Sequence, residues 1–205
     1  MKYQLYLASS SASRKNLLER SNIPFTLISQ NADESTCSLQ QPLDMVIQQI
    51  AELKMKHILL PEGREGDVAF FLTADTLTLD ADNNIYGKPK DRDDAVRMLR
   101  ACRKGAIVGS AFCLERKIYQ NGQWHTQEHI LEYDRAYCVV DVPEPFIDFY
   151  LDSVPYLDVS GAVRIGGFGE QFVKEINGSY SAIIGIPMYK LREALYSLGF
   201  YDNKI

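Results

Sequence analysis

The sequence predicts an α/β fold, built as one domain or as two intimate lobes. Short apolar runs that read as strands alternate with amphipathic runs at helical spacing. Two long alternating segments meet at Asn121-Gly122, the strongest short hairpin signal in the chain. No internal repeat, low-complexity stretch or long linker divides the 205 residues, of which 46% are hydrophobic and 24% charged. That length and composition suffice for a sizeable core.

Residues 3–8 read as the first strand, 13–21 as the helix after it and 25–29 as a second strand. A long helix follows over residues 43–60, with an apolar stripe at Val46, Ile47, Ile50 and Leu53, and Pro61-Glu62-Gly63 stops it. Residues 68–79 read as a buried strand. Asp82-Asn83-Asn84 then turns the chain back through Ile85-Tyr86. Asp91 and Asp94 flank the start of a helix whose Ala95, Met98, Leu99 and Cys102 face inward. The hairpin strands occupy residues 106–119 and 124–142. Pro143 and Pro145 open a helix through Leu151, and a Gly-rich loop at 161–169 leads to a strand at 171–176. The last helix begins near Pro187 and fades at Gly199.

Composition excludes several function classes. A net charge of -5 argues against general nucleic-acid binding. No apolar run is long enough to span a bilayer, and the segment after Met1-Lys2 turns polar too quickly for a signal peptide. Cys37, Cys102, Cys113 and Cys138 lie far apart without a C-x-x-C pair, and read as structural thiols in a reducing cytoplasm. His125 and His129 have helical spacing but sit in an alternating strand. Four residues there span roughly 13 Å, too far for both to hold one ion. His57 has no partner at a chelating offset, and neither a G-x-x-x-x-G-K-[ST] loop nor a G-x-S-x-G elbow is present.

The chemistry concentrates in a few polar positions. The first strand runs into Ser9-Ser10-Ser11-Ala12-Ser13-Arg14, which opens a helix. Unpaired amides and the dipole at a helix N-terminus favour an anion, and Arg14 adds a planar, permanent charge. The same serines also suit a plain helix cap. Asp33-Glu34 lies in a polar loop; on pattern alone it reads first as a solvated acidic loop, and it also fits a hard divalent cation. Asp75 interrupts the apolar run 70–77, where an ionised carboxylate is costly unless paired or bound to metal, so it reads as a site residue. Lys88, framed by Gly87 and Pro89, suits phosphate oxygens or an exposed turn. Lys54, beside Glu52 and Lys56, reads on pattern alone as a solvated helix charge. Gly166-Gly167-Phe168-Gly169 serves as a ligand loop or as a structural turn.

Taken in order, Leu7-Ala8-Ser9-Ser10-Ser11 with Arg14, Asp33-Glu34-Ser35, Lys54, Ala74-Asp75-Thr76, Gly87-Lys88-Pro89-Lys90, and Asn177-Gly178-Ser179-Tyr180-Ser181 through Gly185-Ile186-Pro187 resemble the Maf family. The matches cover nearly the whole chain. The resemblance implies one domain over residues 1–205, an elongated mixed β-sheet flanked by helices, with two lobes and a central cleft (the Maf/ITPase-like arrangement). It implies a nucleoside triphosphate pyrophosphatase, releasing a monophosphate and pyrophosphate with magnesium or manganese, in the cytoplasm and as a homodimer. By resemblance Ser9, Ser11 and Arg14 hold phosphates, Lys54 and Lys88 brace the triphosphate, and Glu34 and Asp75 bind metal or activate water.

The departures from the family pattern bear on substrate choice. Where the family has Ser-x-Ser-Pro-Arg-Arg, this chain lacks the proline and carries Ser13 for the first arginine. In the Gly-rich loop the dTTP/UTP branch typically has Gly-Ala-Tyr-Gly-Ile-Gln-Gly. This chain reads Gly161-Ala162-Val163-Arg164-Ile165-Gly166-Gly167, so Arg164 stands in place of a glycine and Gly166 in place of a glutamine. Ala74-Asp75-Thr76 resembles the dTTP/UTP branch, while Arg164 resembles by charge the branch acting on 7-methyl-GTP. Arg164 is therefore a substrate-binding candidate, with dTTP/UTP or a modified nucleotide as the expected substrate. The alternative is a non-catalytic nucleotide-binding regulator of cell division.

Overall fold

The computed structural model describes residues 3–202; the outermost ends of the expected domain, residues 1–2 and 203–205, lie outside them. A seven-stranded mixed sheet carries the fold, in the order β2-β1-β3-β5-β6-β7, with the short β4 paired to β3. Strand β1 (Gln4–Ala8) runs into helix α1 (Ala12–Arg20) and returns as β2 (Thr26–Ile28), parallel to β1. Strand β3 (Val68–Asp80) joins the other side of β1, also parallel. Strands β4 (Ile85–Tyr86), β5 (Ala106–Gln120), β6 (Gln123–Val140) and β7 (Val173–Gly178) add antiparallel pairings. The mixed α/β architecture matches the sequence expectation.

Both faces of the central strands are covered, which is why β3 reads as a nearly unbroken apolar run. Leu5, Leu7, Phe70 and Leu72 pack on one face against Leu17 and Leu18 of α1 and Leu191 and Leu195 of α6 (Met188–Ser197). Helix α2 (Leu43–Lys56) covers the other face through Val46, Ile47, Ile50 and Met55. A separate cluster gathers α3 (Arg92–Cys102), α4 (Ile147–Ser153) and the end of the hairpin around the wholly buried Tyr150.

Several boundaries differ from the sequence reading. Helix α2 stops at Lys56 because the next residues are captured by the sheet edge: Ile58 bridges Gln30, and the Leu59 amide donates to Ser29. The Pro143-Pro145 segment forms a short 3-10 turn before α4 begins at Ile147. Strand β7 starts at Val173, after a 3-10 turn over Gly167–Phe172. A short helix, α5 (Tyr180–Ile184), stands where the sequence reading assigned no element. The hairpin is as expected, with Asn121 and Gly122 at φ 53° and 78°, the positive pair that a tight primed turn requires. None of the described helices is long and apolar enough to cross a membrane.

Candidate active site

A cavity of about 400 Å³ opens between the β1–α1 turn, the end of α2, the middle of β3 and the Gly-rich loop. Ser9, Ser11, Arg14, Glu34, Lys54, Asp75, Lys88 and Arg164 all line it. The fold thus brings these eight candidate positions together, though with different degrees of burial, and leaves Asp33 outside.

The floor holds the least accessible charges. Asp75 and Lys54 are 6% and 7% exposed, and Lys54 Nζ lies 2.6 Å from Asp75 Oδ1 and 3.0 Å from Glu34 Oε1. Lys54 is therefore no solvated helix charge. It occupies the buried side of α2, close to the C-terminal end, and its stem reaches under the sheet to the carboxylates. Asp75 sits on the α2 face of β3 because strand side chains alternate: Thr73, two residues earlier, donates its hydroxyl to Ala51 of α2. The second carboxylate oxygen, Asp75 Oδ2, is buried and has no hydrogen-bond partner among the described residues. Buried polar atoms are seldom left so, and the orphan leaves Asp75 with an acceptor still to be used.

Of the Asp33-Glu34 pair, only Glu34 turns inward. Asp33 caps the 3-10 turn Glu34–Thr36, accepting hydrogen bonds from the Ser35 hydroxyl and amide, and these hold its carboxyl below the ordinary carboxylate range. The cap fixes the turn that presents Glu34 to Lys54.

Arg14 forms the opposite wall. Its guanidinium donates to Ser9 Oγ at 3.3 Å, Thr76 Oγ1 at 3.0 Å and the Gly185 carbonyl at 3.1 Å. All three partners are neutral, so a permanent cation is held by dipoles alone. Burial presses its pKa down, while the charges of Asp75 and Glu34 act in the other direction. Among the described residues no carboxylate hydrogen-bonds this guanidinium, so its charge stays available to an anion entering the cavity. Ser11 is the N-cap of α1 and accepts from the Arg14 amide at 3.5 Å, so its capping role is realised.

Two further residues hold this wall and were not singled out from the sequence. Thr76 Oγ1 lies 2.7 Å from Ser110 Oγ, and Ser110 donates to the Ala182 carbonyl of α5. The signal was a hydroxyl inside an apolar strand, between Gly109 and Ala111. At the rim, Lys88 is exposed and lies 3.7 Å from Asp158. Arg164 is partly exposed; its amide donates to Tyr150 Oη at 2.8 Å and its Nε to the Gly166 carbonyl at 3.2 Å. Gly169 packs so closely on the Arg164 carbonyl that no Cβ fits there, which sets the loop's path.

The family described as Maf-like protein matches residues 4–198. The chain belongs to the Maf family. Curated Maf-type relatives align over almost their whole length. A protein of Hydrogenovibrio crunogenus is 29% identical over 99% of this chain and 100% of its own. Others from Shewanella oneidensis and Halalkalibacterium halodurans are each 32% identical, over 95% and 96% of this chain and 98% and 96% of their own. All three bear the name dTTP/UTP pyrophosphatase.

Proposed function

We propose that this Maf protein hydrolyses nucleoside triphosphates, dTTP and UTP first among them, between the α and β phosphates. The observation that carries the reading is the buried carboxylate of Asp75, one oxygen paired to Lys54 and the other free, facing the caged cation Arg14 across one cavity. The names of the relatives support the choice of dTTP and UTP.

Each residue has a part set by where charge develops. Attack on the α phosphorus places negative charge on the leaving pyrophosphate, so catalysis is mostly positioning plus cations aimed at that charge. Arg14, freed from competing carboxylates, binds phosphate oxygens with Ser9 beside it. Lys88 at the rim exchanges the weak Asp158 contact for the outer phosphates. Lys54 neutralises Asp75 and Glu34 in the resting cavity and lies in reach of the scissile region. Asp75 Oδ2 accepts a hydrogen bond from the attacking water and orients it. Ser11 holds the α1 terminus in place, and Arg164 contacts the base or sugar.

The oxygen-only set of Glu34 and Asp75 Oδ2 suits a hard divalent ion such as magnesium or manganese. When bound there, such an ion supplies charge neutralisation and a lowered pKa for water. Incubating the purified chain with a panel of triphosphates and magnesium, and measuring both products, tests the reading. Equal release of monophosphate and pyrophosphate, greatest with dTTP or UTP, is expected. Binding without turnover would overturn it in favour of a nucleotide-binding regulator.

A further inference from the structure

The strongest cluster outside the cavity lies on the α2 face of the long hairpin. Strands β5 and β6 pair antiparallel with Glu115 directly opposite His129. Cys113 is two residues before Glu115, so the alternation of strand side chains puts it on the same face. The Cys113 thiol, the Glu115 carboxylate and the His129 ring offer ligand atoms that all lie within 4.8 Å of one another. Cys113 Sγ is 3.7 Å from His129 Nδ1, and that nitrogen is 2.9 Å from Glu115 Oε1. None of the three lines the nucleotide cavity.

We propose that Cys113, Glu115 and His129 form a binding site for a zinc-class divalent transition metal, separate from the nucleotide cavity. The donor set is one thiolate, one imidazole and one carboxylate, the mixture that selects zinc and its neighbours over magnesium. The spacing fits as well. Sulfur and nitrogen ligands on a tetrahedral zinc stand about 3.6 Å apart, given the usual bond lengths. Cys113 Sγ stands near this distance from both ring nitrogens, 3.7 Å from Nδ1 and 3.9 Å from Nε2, so a turn of the surface-reaching His129 ring, with no strand movement, aims Nδ1 at an ion shared with the sulfur.

The surroundings provide the outer support that such sites use. Lys117 Nζ and Thr126 Oγ1 both donate to Glu115 Oε2, which fixes the carboxylate and leaves Oε1 toward the histidine. Glu52 of α2 stands 4.0 Å from His129 Nε2, on the far side of the ring from the proposed bond. A carboxylate in that place orients a ligating imidazole. Cys113 is wholly buried and His129 reaches the surface, so three protein ligands leave an open fourth corner toward solvent for water. His125 is not needed: the partners of His129 come from the facing strand, which spacing along one strand does not reveal. The inference is independent of the pyrophosphatase reading, since it uses neither the cavity nor its residues.

Cobalt(II) titration of the chelator-stripped full chain tests the site, because cobalt–thiolate bonds give an absorption band that oxygen and nitrogen ligands do not. The expected result is one cobalt per chain with a thiolate band, bleached by added zinc. His129→Asn, at a surface position, should weaken binding at least about tenfold, the scale seen when even outer-shell partners of a metal are removed. Cys113→Ser should abolish the band, provided circular dichroism shows it folded. Asp75→Asn, in the cavity, should leave the band unchanged. No thiolate band in the wild type would overturn the proposal, leaving a hydrogen-bonded cluster only. A band that persists with full affinity in His129→Asn would also overturn it, and would assign the thiolate to Cys37, the remaining thiol that is not buried.

Discussion

Asp75 and Asp80 lie on the same strand, five residues apart, and are equally hidden, at 6% and 5% exposure. Their surroundings differ completely. Asp80 Oδ1 accepts from the amides of Asp82 and Asn84, and Oδ2 from the Tyr86 hydroxyl and the Asn84 side chain. Asp75 has Lys54 on one oxygen and, among the described residues, no partner on the other. An odd separation sends the two side chains to opposite faces of the sheet. Asp80 closes a hairpin turn, whereas Asp75 lines the cavity beside Lys54 and Glu34. A buried carboxylate whose hydrogen bonds are all made serves the fold. One left half-satisfied beside a cation keeps an acceptor to offer a ligand, which a fully satisfied group does not.

That contrast yields a double dissociation. Asp75→Asn keeps the shape and an acceptor for Lys54, while Glu34 still balances the lysine charge. Turnover should fall by about 10²-fold or more, the scale of a lost general base or metal ligand. The melting temperature should move little. Steady-state pyrophosphate release together with calorimetry measures both, and near-normal turnover in a folded variant would remove Asp75 from the mechanism.

Asp80→Asn should do the reverse. An amide offers one acceptor oxygen where the hairpin uses two, so a buried donor is left unpaired at a cost of about 1–3 kcal/mol. In a chain of this size that lowers the melting temperature by about 2–4 °C per kcal/mol, with turnover retained. The comparison also has a pH signature. Burial alone would raise the Asp80 pKa from 3.8, but the hydrogen bonds from Tyr86, Asn84 and the two amides outweigh it and hold it lower. A depressed carboxyl contributes stability that is present above the unfolded pKa and lost as pH falls through the folded one. The stability gap between wild type and Asp80→Asn should therefore be full near neutrality and close below about pH 4. A gap that widens on acidification would contradict the assignment.

Smaller effects belong to the rim. Lys88 and Asp158 are both exposed and 3.7 Å apart, a pair worth about 0–1 kcal/mol. Lys88→Ala should leave stability unchanged, weaken triphosphate binding and spare monophosphate binding. Equal losses for both nucleotides in calorimetric titrations would move Lys88 away from the outer phosphates. Smallest in rate, Arg164→Gly should reorder the ranking among triphosphates more than it lowers the best rate. An unchanged substrate profile would assign Arg164 to the loop alone.

Much of this was legible in the sequence because it is local. The nearly unbroken apolar run that marks β3 also exposes Asp75 as an interruption, and the Asn121-Gly122 turn fixes the long hairpin. The serine-rich turn before α1 announces a cap, and Ser11 makes it by accepting from the Arg14 amide. Where the reading fell short, contacts distant in sequence decide. Lys54 looks like one of three charges on a helix surface until α2 is laid on the sheet above Asp75. Ser110 is invisible as a support for Arg14 until Thr76 is paired opposite it. Asp80 falls one residue past the predicted strand end, and its role depends on a turn that folds back on it. His129 meets Cys113 and Glu115 only through the register of β5 against β6. Residues 58–59 leave helical geometry because a strand edge claims their backbone, a competition that local propensity does not encode.

The central claim is that water attacks the α phosphorus of a triphosphate held in the Arg14–Asp75 cavity. Hydrolysis of dTTP in water enriched with heavy oxygen, followed by mass spectrometry of both products, tests it most directly. The account predicts one labelled oxygen in the monophosphate and none in the pyrophosphate. Label in the pyrophosphate, or release of orthophosphate in its place, would contradict it.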